Sequence, residues 1–434
     1  MKYVSTRGQS PAVSFGAALE QGLAPDGGLY LPERWPTIPL AEFQDAKTLP
    51  EIAEVMLRPF VEGDALASQV GAVVREAFDF PAPLKAVTAD GALSVLELFH
   101  GPTAAFKDFG ARFLAASMAR IRAGDSKPLN ILVATSGDTG GAVAAAFHGR
   151  PGVLVSVLFP KGLVSPTQER QLTCWGDNVH SYRVDGSFDD CQRMVKEAFV
   201  DPALKSRFQL SSANSINLGR LLPQAVYYAA TSLAVHRERG VAPNFIIPSG
   251  NLGNSVACVW ARKIGLPIGR IVLAHNVNRS VPDFLKSGQW QPRPSIPTLA
   301  SAMDVGSPSN MERLRALFPD VEGVRNAISA DSVTDDQIRA RISADFATYG
   351  EAWCPHTATA AEVYTRLPPA ERANARWIMV STAHPAKFRE IVEPLIGRRI
   401  EMPESLAKLF SRPVSCADLE PTLAALSGAL GTAR

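Results

Sequence analysis

Short apolar runs alternate with helix-like patterns from Ser94 onward, and this alternation most constrains the fold. Parallel strands that are buried on both faces have continuous apolar sequences, as these runs do. Strands that alternate with helices form βαβ units, so the sequence predicts an α/β protein with largely parallel sheets. Strands are predicted at Ser94–Phe99, Asn130–Thr135, Val153–Pro160, Val179–Val184, Asn244–Pro248, Arg270–Ala274 and Trp377–Thr382. Helices are predicted at Ser14–Gln21, Glu51–Ala77, Phe106–Ile121, Gln168–Cys174, Phe188–Phe199, Leu221–Arg237 and Ser255–Ile264.

Composition excludes several classes of protein. A chain of 434 residues with 46% hydrophobic and 20% charged residues is typical of a globular protein of roughly two to three domains. The net charge of +2 gives no general attraction to nucleic acid or to an anionic membrane, so neither is predicted as a partner. The five cysteines have no CxxC or metal-like spacing, which favours a reducing compartment. Without a signal peptide or a long apolar run, the chain is predicted to be cytoplasmic.

Ligands of parallel α/β sheets bind in the loops that follow the carboxyl ends of the strands. The first such loop leads to Lys107, which begins a predicted helix and has Phe106 before it and Phe109 two positions later. Desolvation among aromatic rings disfavours an ammonium group and leaves an amine that attacks carbonyl carbons. The alternative interpretation is an ordinary solvated lysine.

Two more loops are rich in glycine and lie between a strand and a helix. The loop at Thr135–Gly141 has amides and hydroxyls that can bind an anion at a helix N-terminus. The loop at Pro248–Ser255 has two glycines, and its successive amides can converge on one phosphate. It has neither the ending of a P-loop nor the GxGxxG pattern of dinucleotide sites. Ordinary capped turns are the alternative for both loops.

A fourth loop, Ser381–Pro385, places hydroxyl groups after the last predicted strand. A hydroxyl there can hydrogen-bond a ring nitrogen, and the alternative is a cap for a helix that begins at Pro385. Together the loops offer a lysine for an aldehyde, a glycine-rich turn for a phosphate and a hydroxyl for a heteroaromatic nitrogen. This combination indicates one ligand, pyridoxal phosphate.

The motifs around these loops are similar to those of one enzyme family. They are STRG at 5–8, GLAPDGGLY at 22–30, LFHGPT at 98–103, FKDF at 106–109, AMDV at 302–305, PSN at 308–310 with Arg313, and TAHPAKF at 382–388. The chain thereby resembles the threonine synthase family, pyridoxal-phosphate enzymes of the tryptophan-synthase-β-like fold (fold type II). The resemblance implies two parallel-sheet α/β lobes, with a family-specific N-terminal domain at 1–92 and a catalytic region at 93–434.

The resemblance also implies a role for each matching residue. Lys107 is expected to form the Schiff base with pyridoxal phosphate, and Thr382 to bind its pyridine nitrogen. The residues expected to hold the cofactor phosphate are Gly250, Asn251, Leu252, Gly253 and Asn254. Those expected to surround the substrate carboxylate are Ser136, Gly137, Asp138, Thr139 and Gly140. Those expected to bind the substrate phosphate are Asn214, Ser215 and Arg220, whose planar guanidinium suits bidentate contact.

The reaction that the resemblance implies converts O-phospho-L-homoserine and water to L-threonine and phosphate, the last step of threonine biosynthesis. The enzyme would be a carbon–oxygen lyase acting on phosphates, as a monomer or homodimer. Lys107 is expected to remove the Cα proton and to serve as both base and acid, with the cofactor as electron sink. His100 and His384 flank the predicted site and are expected to satisfy local hydrogen bonds.

Three other functions stay open from the sequence. A lyase on the same fold would release phosphate with 2-oxobutyrate and ammonia. A serine or threonine dehydratase fits less well because it needs no second phosphate site. A non-catalytic small-ligand binder would keep Lys107 as a structural residue.

Overall fold

A computed structural model describes residues 1–125 and 127–432, which form thirteen strands and twenty α-helices. The strands are β1 (Tyr3–Ser5), β2 (Tyr30–Pro32), β3 (Leu84–Ala86), β4 (Leu93–Glu97), β5 (Leu129–Ala134), β6 (Val153–Pro160), β7 (Val179–Val184), β8 (Gln209–Ser212), β9 (Asn244–Pro248), β10 (Ile271–His275), β11 (Ser329–Ser332), β12 (Trp377–Ser381) and β13 (Ala417–Leu419). The helices are α1 (Phe15–Gln21), α2 (Leu49–Leu57), α3 (Val70–Ala77), α4 (Lys107–Ile121), α5 (Asp138–Phe147), α6 (Pro166–Thr173), α7 (Phe188–Val200), α8 (Pro202–Arg207), α9 (Leu218–Leu221), α10 (Ala225–Arg239), α11 (Gly253–Lys263), α12 (Ser280–Ser287), α13 (Met311–Leu317), α14 (Val321–Ala327), α15 (Asp335–Tyr349), α16 (Pro355–Arg366), α17 (Pro369–Ala373), α18 (Arg389–Ile396), α19 (Glu404–Phe410) and α20 (Leu423–Thr432).

Two largely parallel sheets carry the architecture. The first has six strands in the order β11-β10-β9-β12-β4-β3, in which only β3 runs antiparallel to its neighbour β4. The second has five parallel strands in the order β13-β7-β6-β5-β8. The strands β1 and β2 form a separate antiparallel pair. The predicted α/β fold with two parallel-sheet lobes is confirmed.

The central strands form where the sequence is apolar without interruption. Every residue of β5, β9, β10 and β12 is buried, as expected for strands covered by helices on both faces. Each predicted strand coincides with an observed strand to within two residues at either end. Several helices begin at side-chain caps, including α6 and α7, where Ser165 and Ser187 each form a capping box.

Two helix predictions were wrong in extent. The segment predicted as one helix at Glu51–Ala77 contains α2 and α3, which are separated by two 3₁₀ turns. Pro59 lies in the first of these turns, and Gly63 has a φ of +74°, a conformation that ends helical structure. The helix predicted at Leu221–Arg237 begins at α10 instead, because Pro223 holds the preceding residues in a 3₁₀ turn.

The sequence patterns missed the edge strands and much of the last third of the chain. The sequences of β8, β11 and β13 are polar or short, so they lack the apolar signal of the buried strands. The helices α15 and α16 were also missed. No helix in the described part of the chain is both long and apolar enough to cross a membrane.

Candidate active site

One cavity of about 180 Å³ collects the loops that follow strands of both parallel sheets. Thirteen of the fifteen predicted site residues line it: Lys107, Ser136, Asp138, Thr139, Asn214, Ser215, Arg220, Gly250, Asn251, Leu252, Gly253, Asn254 and Thr382. These residues follow β4, β5, β8, β9 and β12 in the chain. The two lobes therefore share a single site at the carboxyl ends of their strands.

Lys107 is held at the first position of α4 beside the last buried strand. The Phe106 amide donates a hydrogen bond to the Thr382 carbonyl at 2.9 Å, which fixes the start of α4 against the end of β12. The Lys107 Nζ has no hydrogen-bond partner among the described residues and lies 5.7 Å from the centre of the Phe106 ring. Burial lowers the pKa of Lys107 to about 8, while the Asp138 carboxylate acts in the opposite direction. Lys107 thus has a free, partly deprotonated amine in the cavity.

The loop before α11 presents a row of backbone donors that bond to no described residue. The amides of residues 250–254 donate to no described residue, and Leu252 adopts a left-handed conformation with a φ of +62°. The side chains hold the loop instead: Asn254 Nδ2 donates to the Pro248 carbonyl at 3.0 Å, and Asn251 Nδ2 donates to Ser215 Oγ at 2.6 Å. Successive free amides at a helix N-terminus form an anion-binding nest. The loop therefore fits the phosphate of pyridoxal phosphate.

Gly250→Ala is expected to distort this nest. An added Cβ would lie 2.7 Å from Met303 Cα and 3.1 Å from the Ala302 carbonyl oxygen, so one backbone segment must move. Overpacking of this kind lowers the free energy of unfolding by about 1–3 kcal/mol. Denaturant unfolding and titration with pyridoxal phosphate measure both effects. The matched control is Gly176→Ala, where the added Cβ meets nothing within 4 Å. Equal cofactor affinity in both variants would contradict the assignment.

In the loop before α5, some polar groups line the cavity and others form hydrogen bonds within the loop itself. The hydroxyls of Ser136 and Thr139 line the cavity and have no described hydrogen-bond partner. Gly137 and Gly140 do not line the cavity, and their amides donate to Thr135 Oγ1 at 3.0 and 2.9 Å. Gly137 has a φ of +130°, a conformation that favours glycine. These two glycines shape the turn, and the two hydroxyls face the cavity.

Asp138 lines the cavity, but its carboxylate is already paired. Its Oδ1 lies 2.7 Å from Lys387 Nζ and accepts a hydrogen bond from Gln168 Nε2 at 3.0 Å. Burial would raise the pKa of Asp138, yet the nearby charges of Lys387 and Lys107 hold that pKa well below its ordinary value. An ionised carboxylate repels another carboxylate, so the side chain of Asp138 is poorly suited to contact the substrate's carboxylate directly.

Arg220 is a buried cation without an acidic partner in the described part of the chain. It is 2% exposed, Nη1 donates to the Ala213 carbonyl, and Nε has no hydrogen-bond partner. Burial lowers the pKa of Arg220 to about 10, so the guanidinium stays charged at neutral pH. Gly110 allows α9 to approach α4, since an added Cβ would lie 2.4 Å from the Arg220 carbonyl oxygen. A buried, incompletely paired guanidinium that lines a cavity is suited to bind an anion.

Asn214 and Ser215 differ in which polar groups of their side chains stay available to a ligand. Asn214 Nδ2 donates to the Ala134 carbonyl at 2.9 Å, which ties the loop to β5. Ser215 Oγ accepts from Asn251 at 2.6 Å and from Asn310 at 3.3 Å. The Ser215 hydroxyl proton has no described acceptor, so it is available to a ligand beside Arg220.

Sequence patterns did not reveal several residues of the site. His356 lines the cavity from α16, and its Nε2 accepts a hydrogen bond from the Ala302 amide at 3.1 Å. Burial lowers the pKa of His356 to about 4, so it is neutral and positions the 302–305 segment. No signal marked it, because α16 was not predicted. His100 and His384 lie outside the wall and bond locally to Glu97 and to the amide of residue 386, as expected.

Comparisons with known proteins agree with this geometry. A family model for pyridoxal-phosphate dependent enzymes matches residues 82–383, one for the threonine synthase N terminus matches 2–78, and one for the threonine synthase C-terminal region matches 357–429. The chain is 40% identical to threonine synthase of Haemophilus influenzae over 420 residues, which cover 95% of this chain and 96% of that protein.

Solved structures give the same result. The crystal structure of threonine synthase from Escherichia coli superimposes with a TM-score of 0.91 at 38% identity and covers 100% of both chains. The structure of pyridoxal-phosphate-bound threonine synthase from Brucella melitensis superimposes with a TM-score of 0.90 at 35% identity, and covers 100% of this chain and 99% of that one.

Proposed function

The chain belongs to the threonine synthase family, and from this we infer that it converts O-phospho-L-homoserine and water to L-threonine and phosphate as a pyridoxal-phosphate-dependent lyase. One observation carries the inference: a single cavity holds a free lysine amine and two sets of anion-binding groups, which meet where Asn251 Nδ2 donates to Ser215 Oγ. The first set is the row of free amides at 250–254, and the second is Arg220 with Ser215. A phosphorylated cofactor and a phosphorylated substrate need two such sets.

We assign the cofactor to the groups that lack protein partners. The amides of residues 250–254 would hold its phosphate, and Thr382 Oγ1 would hydrogen-bond to its ring nitrogen. Lys107 Nζ is the amine that bonds to its aldehyde, because the other lysine near the cavity, Lys387, is held in an ion pair. When bound, pyridoxal phosphate supplies an electron sink for carbanion chemistry at the substrate's carbons.

The substrate is placed by its two charged ends. The hydroxyls of Ser136 and Thr139, at the N-terminus of α5, bind the carboxylate. The guanidinium of Arg220 and the hydroxyl of Ser215 bind the phosphate. Gly137 and Gly140 contribute by shaping the turn, and Asp138 contributes through its pairing with Lys387.

Lys107 also moves the protons. A base is most effective when its pKa lies near the working pH, and burial lowers the pKa of Lys107 to about 8. Once the substrate's amine takes its place on the cofactor, the released Nζ would remove the proton from the substrate's Cα and then carry a proton back to the carbon skeleton. Enclosure by both lobes limits the access of water until the hydration step.

Product analysis tests the proposal directly. The purified protein, loaded with pyridoxal phosphate, receives O-phospho-L-homoserine, and phosphate, threonine, 2-oxobutyrate and ammonia are followed over time. Equal release of phosphate and threonine is expected. Phosphate with equal amounts of 2-oxobutyrate and ammonia would replace the synthase reaction by a lyase without hydration. Absence of turnover with cofactor bound would require another substrate.

Three finer features stay predictions. The division into an N-terminal domain at 1–92 and a catalytic region at 93–434 is tested by limited proteolysis between β3 and β4. A monomer or homodimer is tested by the mass of the protein in solution. A cytoplasmic location is tested by cell fractionation.

A further inference from the structure

Lys387 is a fully buried lysine whose ammonium group has two fixed partners. Its Nζ lies 2.7 Å from Asp138 Oδ1 and donates to the Thr103 carbonyl at 3.0 Å. Its side chain is 0% exposed, and that of Asp138 is 3% exposed. A buried ion pair of this kind persists because each ion offsets the cost of removing the other from water.

The partners of Lys387 come from the segments that surround Lys107. Asp138 begins α5 and lines the cavity. Thr103 lies in the loop before α4, and its amide and hydroxyl donate to the Asp108 carboxylate at 2.9 and 2.7 Å. Asp108 is the residue next to Lys107. The Lys387 ammonium therefore connects the start of α5, through Asp138, to the loop before α4 that positions Lys107.

The charges that face Lys107 are few. Among the described residues, Asp138 is the one anion whose field raises the pKa of Lys107, while the fields of Arg220 and Lys387 lower that pKa. His356 also faces this cluster, but burial keeps it neutral. Lys107 is the other lysine whose charge acts on the Asp138 carboxylate. Without Lys387, that carboxylate would favour a proton on Lys107 more strongly.

We propose that Lys387 is a positioning residue for the reaction: by holding the Asp138 carboxylate in an ion pair, it leaves the Lys107 nitrogen free to lose its proton during turnover. Lys387 touches neither substrate nor cofactor in this role and acts through Asp138. The inference rests on the proposed function, since it concerns the nitrogen that bonds to the cofactor.

Three variants separate this role from simple packing. Lys387→Met removes the cation, Asp138→Asn removes the anion, and the double variant removes both charges while keeping the side-chain volumes similar. The cofactor-loaded proteins are titrated with acid and base, and the visible absorption band of the bound cofactor reports the protonation of the Lys107 nitrogen. Lys408→Met is the control, because Lys408 is exposed and pairs with Glu404.

The two single variants are expected to shift the titration in opposite directions. Lys387→Met moves the midpoint up by about one pH unit or more, because an unpaired carboxylate favours the protonated nitrogen. Asp138→Asn moves it down, because the Lys387 cation is then uncompensated. The double variant titrates close to the unmodified protein. The acid limb of kcat/KM against pH shifts with the band, because kcat/KM reports the ionisations of the substrate-free protein.

Other results would overturn the proposal. Both single variants would lower the unfolding temperature if the pair were only structural, and the absorption midpoint would then stay where it was. Should Lys387→Met fail to fold, the downward shift of Asp138→Asn and its reversal in the double variant carry the test. Failure of the proposed function is distinct, because borohydride would then fix no cofactor on Lys107 in the unmodified protein.

Discussion

Lys107→Ala is expected to reduce kcat by at least about 10⁴-fold, because one amine supplies both the covalent bond to the cofactor and the proton transfers. The structure shows why no neighbour replaces it. Lys387 is the other buried lysine near the cavity, and its ammonium is held by Asp138 and by the Thr103 carbonyl. An amine fixed in a buried ion pair stays protonated and has no free electron pair for a carbonyl carbon.

The measurement combines steady-state kinetics with borohydride reduction and peptide mapping. In the unmodified protein the reduced cofactor is expected on the peptide that contains Lys107, and in the variant on no specific peptide. Lys408→Ala is the matched control, since this lysine is 70% exposed on α19. An adduct on the Lys387 peptide of the unmodified protein would exclude the assigned chemistry.

The sequence predicts the site well where the chemistry lies in contiguous loops. Apolar runs such as Val153–Pro160 predict the parallel strands. The loops after these strands contain the lysine, the glycines and the hydroxyls of the cavity. The N-caps and prolines that begin helices are equally local, so α6 and α7 are also predicted closely. These elements can be predicted because the residues that determine each of them lie within a few positions of one another in the sequence.

Side-chain partners are not predictable in the same way. The Thr103 carbonyl and Lys387 Nζ form one hydrogen bond across 284 positions of sequence. Nothing local distinguishes Lys387 from a surface lysine, and nothing local shows that its ion pair occupies the Asp138 carboxylate. The amides of Gly137 and Gly140 are another example, because only the folded turn shows that Thr135 Oγ1 accepts from both.

Substitution of Arg220, whose guanidinium is only partly hydrogen-bonded, is expected to cause a second large loss of activity. Arg220→Met keeps most of the side-chain volume and removes the charge that we assign to the substrate's phosphate. Loss of one partner from a buried, hydrogen-bonded charge pair costs about 2–5 kcal/mol, which corresponds to a decrease in kcat/KM of roughly 30-fold to 5,000-fold. Arg220 forms no ion pair in the described part of the chain, and Asp108, the carboxylate whose field acts on it, keeps its hydrogen bonds from Thr103 in the variant.

Inorganic phosphate separates binding from misfolding in this experiment. As the reaction's product, phosphate should inhibit the unmodified protein by occupying the Arg220 and Ser215 groups, and the variant should lose this inhibition by a factor similar to its loss of kcat/KM. Cofactor binding at the 250–254 loop should persist, because the described hydrogen bond of the Arg220 side chain is to the Ala213 carbonyl and not to that loop. Arg220→Lys should recover part of the affinity for phosphate, because the lysine ammonium restores the positive charge but not the bidentate geometry of the guanidinium. Arg34→Ala is the control, since Arg34 is exposed and pairs with Glu62. Unchanged inhibition by phosphate in Arg220→Met would place the substrate's phosphate elsewhere in the cavity.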